Sequence, residues 1–203
     1  MLQAPAPAVV LASSSASRRA LLEAAGLRFE ARPAAVDEAA IKEAAQAEGL
    51  TPAEAAILLA EAKAERVARR APEALVIGGD QLLVCEGRWF DKPETLAQAR
   101  ENLLWLRGKR HELVNGTVIW RGGQRIWQDV TTVRLTFRDF SEAFLDAYLA
   151  AEGEVLLASV GAYRLEGLGV QLMAKIEGEH SAILGLPLTP LLRFLRQHGV
   201  LIG

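Results

Sequence analysis

Along this 203-residue chain the spacing of apolar positions switches between strand-like runs and helical stripes, and each switch marks an element. Residues 8–12 read as a short buried strand that gives way to the hydroxyl cluster Ser13, Ser14, Ser15 and Ser17. A helix is predicted over 16–25 with Gly26 as its stop, then a short strand over 29–32 and a loop carrying Asp37 and Glu38. Thr51-Pro52-Ala53-Glu54 is a capping box with proline at the first helical position, and its helix runs to about Arg70. Residues 75–79 are apolar, end in Gly78-Gly79 and Asp80, and continue as strand over 81–84.

Glu86-Gly87 reads as a tight turn, and Thr95 to Gln98 as a second capping box whose helix ends at Gly108. Residues 113–120 and 126–137 pair across the turn Arg121-Gly122-Gly123-Gln124. Ser141 caps a helix to about Ala151, short strands are expected near 154–157 and 170–176, and a helix over 187–198 follows. Strands alternating with helices, plus one antiparallel hairpin, predict an α/β fold with a mixed sheet. No linker, repeat or low-complexity run divides residues 1–203, so one domain is expected.

Composition narrows the function. A formal net charge of -2 argues against a nucleic-acid partner, which needs a basic surface, but leaves room for a basic pocket. The single cysteine, Cys85, has no disulfide partner within the chain, and a reducing cytoplasm fits. The stretch from Met1 to Ala8 lacks a basic leader, and no apolar run approaches about 18 residues, so neither a signal peptide nor a membrane span is expected.

Several residues could carry chemistry. The first strand empties into hydroxyls at a helix N-terminus, where free N–H groups favour an anion, and Arg18 and Arg19 add guanidinium forks suited to phosphate. The same pattern also suits a plain helix cap followed by two solvated arginines. Asp80 reads as the end of an apolar strand, the place where open α/β sheets put ligands, although turn aspartates share that position. With Glu38 it offers oxygen ligands to magnesium or manganese; a solvated loop glutamate is the other reading. Lys63 lies beside the stripe Leu59, Lys63, Val67, as a snorkelling lysine would, and Lys92-Pro93 is a similar isolated cation. His111, His180 and His198 have no metal-like or triad-like spacing, and neither a Rossmann nor a Walker glycine pattern occurs.

These signals fall in an order that resembles the Maf family. Ala12-Ser-x-Ser15 with Arg18 and Leu21-Leu22, then Asp37-Glu38, Ala60-Glu-Ala-Lys-Ala64 and Ile77-Gly-Gly-Asp-Gln81 all match it. So do Gly87…Lys92-Pro93, Leu106-Arg-Gly-Lys-Arg-His111, Gly161-Ala-Tyr163, Glu166-Gly-Leu-Gly169 and Gly185-Leu-Pro-Leu188. The resemblance covers nearly the whole chain. It implies an elongated mixed sheet flanked by helices in two lobes, similar to the inosine triphosphate pyrophosphatases, with a nucleotide in the central cleft. It also implies a metal-dependent hydrolase that splits a nucleoside triphosphate into monophosphate and pyrophosphate. Carried over by position, Ser13, Ser15, Arg18 and Arg19 would bind phosphate, Asp80, Lys63 and Lys92 would be catalytic, and Glu38 with Asp80 would hold the metal. A homodimer is compatible with the resemblance, though no apolar stripe specifies one.

Departures bear on the substrate. Ala16 stands where the family usually has proline, and Asn115 where threonine usually precedes Gly116. Gln81 and Glu166 replace the threonine and glutamine typical of members acting on dTTP and UTP, which makes the chain more similar to the branch acting on 7-methyl-GTP. A glutamate can accept from the N1–H and exocyclic amine of guanine and favours a cationic methylated ring. Trp89 and Tyr163 are candidates to stack on the base, or core aromatics. A dTTP/UTP pyrophosphatase, and a nucleotide-binding regulator of septum formation without turnover, remain alternatives.

Overall fold

The computed structural model describes residues 2–203; Met1, where the leader reading begins, lies outside them. In chain order the elements are β1 (Val9–Leu11), α1 (Ala16–Ala24), β2 (Glu30–Ala31), α2 (Glu38–Ala47), α3 (Pro52–Ala68), β3 (Leu75–Cys85) and β4 (Arg88–Phe90). Then follow α4 (Leu96–Leu106), β5 (Arg110–Arg121), β6 (Gln124–Phe137), α5 (Glu142–Glu152), β7 (Met173–Glu177), α6 (His180–Ile183) and α7 (Leu188–Gln197). Two 3₁₀ segments, Gly153–Ala158 and Leu168–Leu172, lie between α5 and β7.

Seven strands form one mixed sheet in the order β2-β1-β3-β5-β6-β7, with β4 beside β3. β1 runs parallel to both β2 and β3, whereas β3–β4 and β6–β7 are antiparallel. The chain divides into two compact units, Met1–Gln81 with Asn115–Thr131 and Glu179–Gly203, and Leu82–Val114 with Thr132–Gly178. Among the described residues no helix is long and apolar enough to cross a membrane.

In the first unit the strands are buried on both faces, which is why they read as unbroken apolar runs. Val9, Leu11, Leu75, Ile77 and Ile119 point to a core completed by Leu22, Leu191, Phe194 and Leu195. The alternate residues Val10, Val76 and Val118 point to a second core with Ile57, Ala60, Ala64 and Val67 of α3. Side-chain oxygens close the helix starts: Ser15 accepts from Arg18 N–H, Asp37 from Ala40 N–H, and Thr51 forms the expected box with Glu54.

Three expectations need correction. Asp37 and Glu38 are not in a loop; they are the N-cap and first residue of α2. Asp80 does not end a strand but lies inside the 11-residue β3, because Gly78-Gly79 keep extended backbone. What ends there is the neighbour, since β1 pairs with β3 only as far as Leu11 opposite Ile77. Finally, residues 153–158 form a 3₁₀ turn with only Leu156 buried, so the short apolar run there was not a strand.

In the second unit His111 is buried beside Phe137 and Tyr163, with Nε2 paired at 2.9 Å to the Tyr163 hydroxyl. Burial pushes its pKa down to about 4, so the folded chain holds it neutral. The stabilisation is complete above the ordinary histidine range and drains away as pH falls from about 6.5 towards 4, because only the unfolded chain takes up the proton there. Between pH 7 and pH 5 the urea-unfolding free energy should fall by about 2 kcal/mol, and His111→Phe should flatten that slope. An unchanged slope in the variant would assign the pH dependence to another group.

Candidate functional site

The site in the first unit begins with a contact between backbones. A methyl on Gly78 would overlap the carbonyl oxygen of Ala60 and stand 2.8 Å from the Ala64 Cβ. One on Gly116 of β5 would meet the Ala56–Ile57 peptide at 2.5–2.6 Å. Helix α3 therefore lies directly on β3 and β5, with Ala56, Ala60 and Ala64 turned towards the two glycines. Side chains alternate along a strand, so Gly78 and Asp80 share the face that meets α3.

Lys63, between Ala60 and Ala64 in sequence, reaches Asp80 from that helix. Its Nζ donates to Asp80 Oδ1 at 2.5 Å, with the two side chains only 8% and 7% exposed. Helix α2 packs against α3, and its first residue, Glu38, brings Oε1 to 2.9 Å from the same ammonium while its side chain remains 44% exposed. One buried cation thus gathers two carboxylates. Each alone would be costly to bury, and the ion pair fixes their positions as much as it adds stability.

Gly79 and Gln81 point the other way along β3. A methyl on Gly79 would touch Arg18 Nε and Leu186 at 3.6 and 3.8 Å, ordinary contact distances. Arg18, in the first turn of α1, is buried; its Nε donates to the Gly185 carbonyl at 2.7 Å and its Nη1 to Ser13 Oγ at 3.4 Å. Burial lowers its pKa, while the nearby charges of Asp80 and Glu38 act in the opposite sense. Ser13 Oγ also accepts from Ser15 N–H at 3.1 Å, so the hydroxyls fold the loop on which Arg18 depends. Gln81 spends its amide nitrogen on Asn115 Oδ1, the Ala182 carbonyl and the Ile183 carbonyl, at 3.1, 2.9 and 3.2 Å.

The structure thus brings together Ser13, Ser15, Arg18, Glu38, Lys63, Asp80 and Gln81 in one unit. Arg19 is exposed one position on along α1, with its backbone N–H on the Ser15 carbonyl. Lys92 and Glu166 belong to the second unit; Lys92 is exposed beside the buried Pro93, and Glu166 is exposed with Arg164 Nε 3.4 Å from its Oε1. Tyr163 is core, 5% exposed against His111 and Phe137, and so is not a free stacking platform. The carbonyls of Ala182, Ile183 and Gly185 went unnoticed in the sequence, as a backbone acceptor leaves no mark on residue type.

Among the described residues no group of three or more His, Cys, Asp or Glu side chains converges, which is not a zinc-like cage. Two carboxylates meeting on one cation do fit magnesium or manganese, which take one or two such oxygens and fill their shells with water and substrate phosphate.

Comparison with known proteins finds relatives over nearly the whole chain. The sequence profile of the family described as Maf-like protein matches residues 8–198. A nucleoside triphosphate pyrophosphatase of Granulibacter bethesdensis is 56% identical over 95% of this chain and 98% of its own length. Another, from Rhodospirillum rubrum, is 51% identical over the full length of both chains. A 7-methyl-GTP pyrophosphatase of Rhizobium meliloti is 48% identical over 96% of this chain and 98% of its own.

Because α3 touches the strand backbone at Gly78, Gly78→Ala must lift the helix or bend the strand. The expected cost is about 2 kcal/mol in urea unfolding. Movement of Lys63 away from Asp80 should also lower activity by at least the loss seen in stability. A variant as stable as its parent would show that the helix does not rest on this glycine.

Proposed function

This chain belongs to the Maf family, and from that premise we propose that it hydrolyses a nucleoside triphosphate to the monophosphate and pyrophosphate, with 7-methyl-GTP as its preferred substrate. The observation that carries the chemistry is the buried Lys63–Asp80 pair with Glu38 at its exposed edge and Arg18 in the first turn of α1. Water attacking the α-phosphorus must approach a polyanion, and the pyrophosphate leaves with added charge. Cations fixed before the reaction stabilise that charge without reorganising.

In this reading Asp80 accepts the proton of the attacking water through the carboxylate oxygen that Lys63 does not hold. Lys63 holds Asp80 in place through its Oδ1, and it faces the phosphates when substrate enters. Arg18, held through Nε and Nη1, and the folded Ser13–Ser15 loop at the start of α1 bind phosphate oxygens. Arg19 and Lys92, both exposed, add charge that draws the polyanion in. Glu38 and Asp80 would hold magnesium or manganese, which when bound polarises a phosphoryl oxygen and lowers the pKa of bound water.

The preference for a methylated guanine rests on Glu166, on Gln81 and on the name of the Rhizobium meliloti relative. Glu166 is exposed and lies in an ion pair with Arg164 that a cationic base would compete with. Gln81 acts indirectly, since its amide nitrogen is committed to Asn115, Ala182 and Ile183.

Pyrophosphate release from 7-methyl-GTP, GTP, dTTP and UTP, with magnesium or manganese, tests the reading. Asp80→Asn should reduce kcat with 7-methyl-GTP by about a thousandfold, within the range lost when a proton acceptor and its charge are removed. Turnover undiminished in Asp80→Asn would overturn the catalytic assignment, and nucleotide binding without turnover in the parent chain would favour a regulator. Glu166→Gln should shift the ratio of kcat/KM values from 7-methyl-GTP towards dTTP and UTP by roughly tenfold. A ratio unmoved by that change would take Glu166 out of base selection.

A further inference from the structure

We propose that Glu179 is a positioning residue that fixes Arg18 and Gln81 by clamping the two ends of the 179–188 segment together. The start of α7 poses the problem it solves. Pro187 occupies the N-cap position and offers no side-chain oxygen, so the first N–H groups of the helix need a partner from elsewhere. Glu179, nine residues upstream of Leu188, supplies it: Oε1 accepts from the N–H of Leu188 and of Thr189, each at 3.0 Å. Ser181 Oγ donates to the same oxygen, and itself accepts from Leu188 N–H at 2.9 Å. Although burial pushes the Glu179 carboxyl up, the hydrogen bonds from Ser181, Thr189 and Leu188 hold it below the usual carboxylate range.

What lies inside the clamp gives it consequence for the site. The segment presents three carbonyls to side chains already placed there, Gly185 to Arg18 and both Ala182 and Ile183 to Gln81. Gly185 has φ +96°, a conformation that favours glycine, and a methyl there would lie 3.5 Å from Arg18 Nε and Nη2. The carbonyl that orients the guanidinium therefore lies just beyond the single turn of α6, whose own ties are Ala182 and Ile183 N–H to the Glu179 carbonyl at 3.1 and 3.3 Å and Leu184 N–H to His180 at 3.3 Å. Gly185 N–H to Ala182 at 3.2 Å and Leu186 N–H to Ser181 at 3.1 Å continue them. All of these are local to 179–186, and the Glu179 and Ser181 side chains add the bonds that join this turn to the start of α7. Glu179 acts through the loop and need touch no substrate.

This inference rests on the proposed hydrolysis, so its test has one arm that needs turnover and one that does not. Glu179→Ala, Glu179→Gln, Arg18→Ala and the double variant Glu179→Ala/Arg18→Ala are compared by kcat/KM, by thermal midpoint and by hydrogen–deuterium exchange of amides 182–186. Glu179→Ala should lower kcat/KM roughly tenfold in the parent chain and less than about twofold once Arg18 is alanine, because the clamp then has little left to orient. Glu179→Gln keeps a neutral acceptor and should lose only about threefold, which separates loss of charge from failure to fold. Exchange at 182–186 should quicken in Glu179→Ala.

Equal losses in both backgrounds would overturn the inference. So would a lowered thermal midpoint with kcat/KM intact, since that is the signature of a helix cap alone. Where Arg18→Ala leaves no measurable turnover, or Glu179→Ala does not fold, exchange in the soluble Glu179 variant decides, and unchanged rates at 182–186 overturn the clamp. A parent chain inactive on every nucleotide would defeat the proposed function, yet exchange would still answer for the clamp.

Discussion

Helix α3 can lie on strands β3 and β5 only where those strands have no side chain, and the geometry of the site follows from that contact. Gly78 and Gly116 lack the Cβ atoms that would hold the helix away, and Ala56, Ala60 and Ala64 carry nothing beyond Cβ on the helix side. Lys63, one position before Ala64, is buried beside this contact. Its ammonium is delivered to the strand two residues beyond Gly78, where Asp80 waits on the same face. The apolar packing and the buried charge are thus one arrangement, and lifting the helix by a single methyl would weaken both together.

Much of this was legible beforehand where the signal is local. Thr51-Pro52-Ala53-Glu54 names both the start of α3 and its cap, and the helical stripe then puts Lys63 near the apolar side. Asp80, after two glycines, was singled out although its place in the strand was misjudged. Pattern alone takes consecutive glycines for an ending, and here the first of them marks close approach of a helix. The eventual grouping of Ser13, Arg18, Glu38, Lys63, Asp80 and Gln81 came from their order along the chain, which no single motif carries.

Other features were illegible for physical reasons. Helix α2 buries only Ala45, so it has no apolar stripe for periodicity to find, and its start at Asp37-Glu38 passed for a loop. The 3₁₀ turn at Gly153–Ala158 contains four adjacent apolar residues, too few to distinguish a turn from a strand. The cap of α7 lies nine residues upstream, beyond the reach of any local capping pattern. Tyr163 looked like a base platform because aromatic residues serve both roles; only burial beside His111 tells which.

The alternation along β3 also limits how such a strand can change over generations. Gly78 and Asp80 face one neighbour while Gly79 and Gln81 face another, so parity, as well as spacing, is part of the design. Losing or gaining one residue between 78 and 81 would exchange the partners of every side chain beyond it, turning a carboxylate towards an arginine's anchoring loop and an amide towards a lysine. Lineages can therefore vary this stretch by substitution but not by single-residue insertion or deletion, and alignments of it should be free of odd-length gaps.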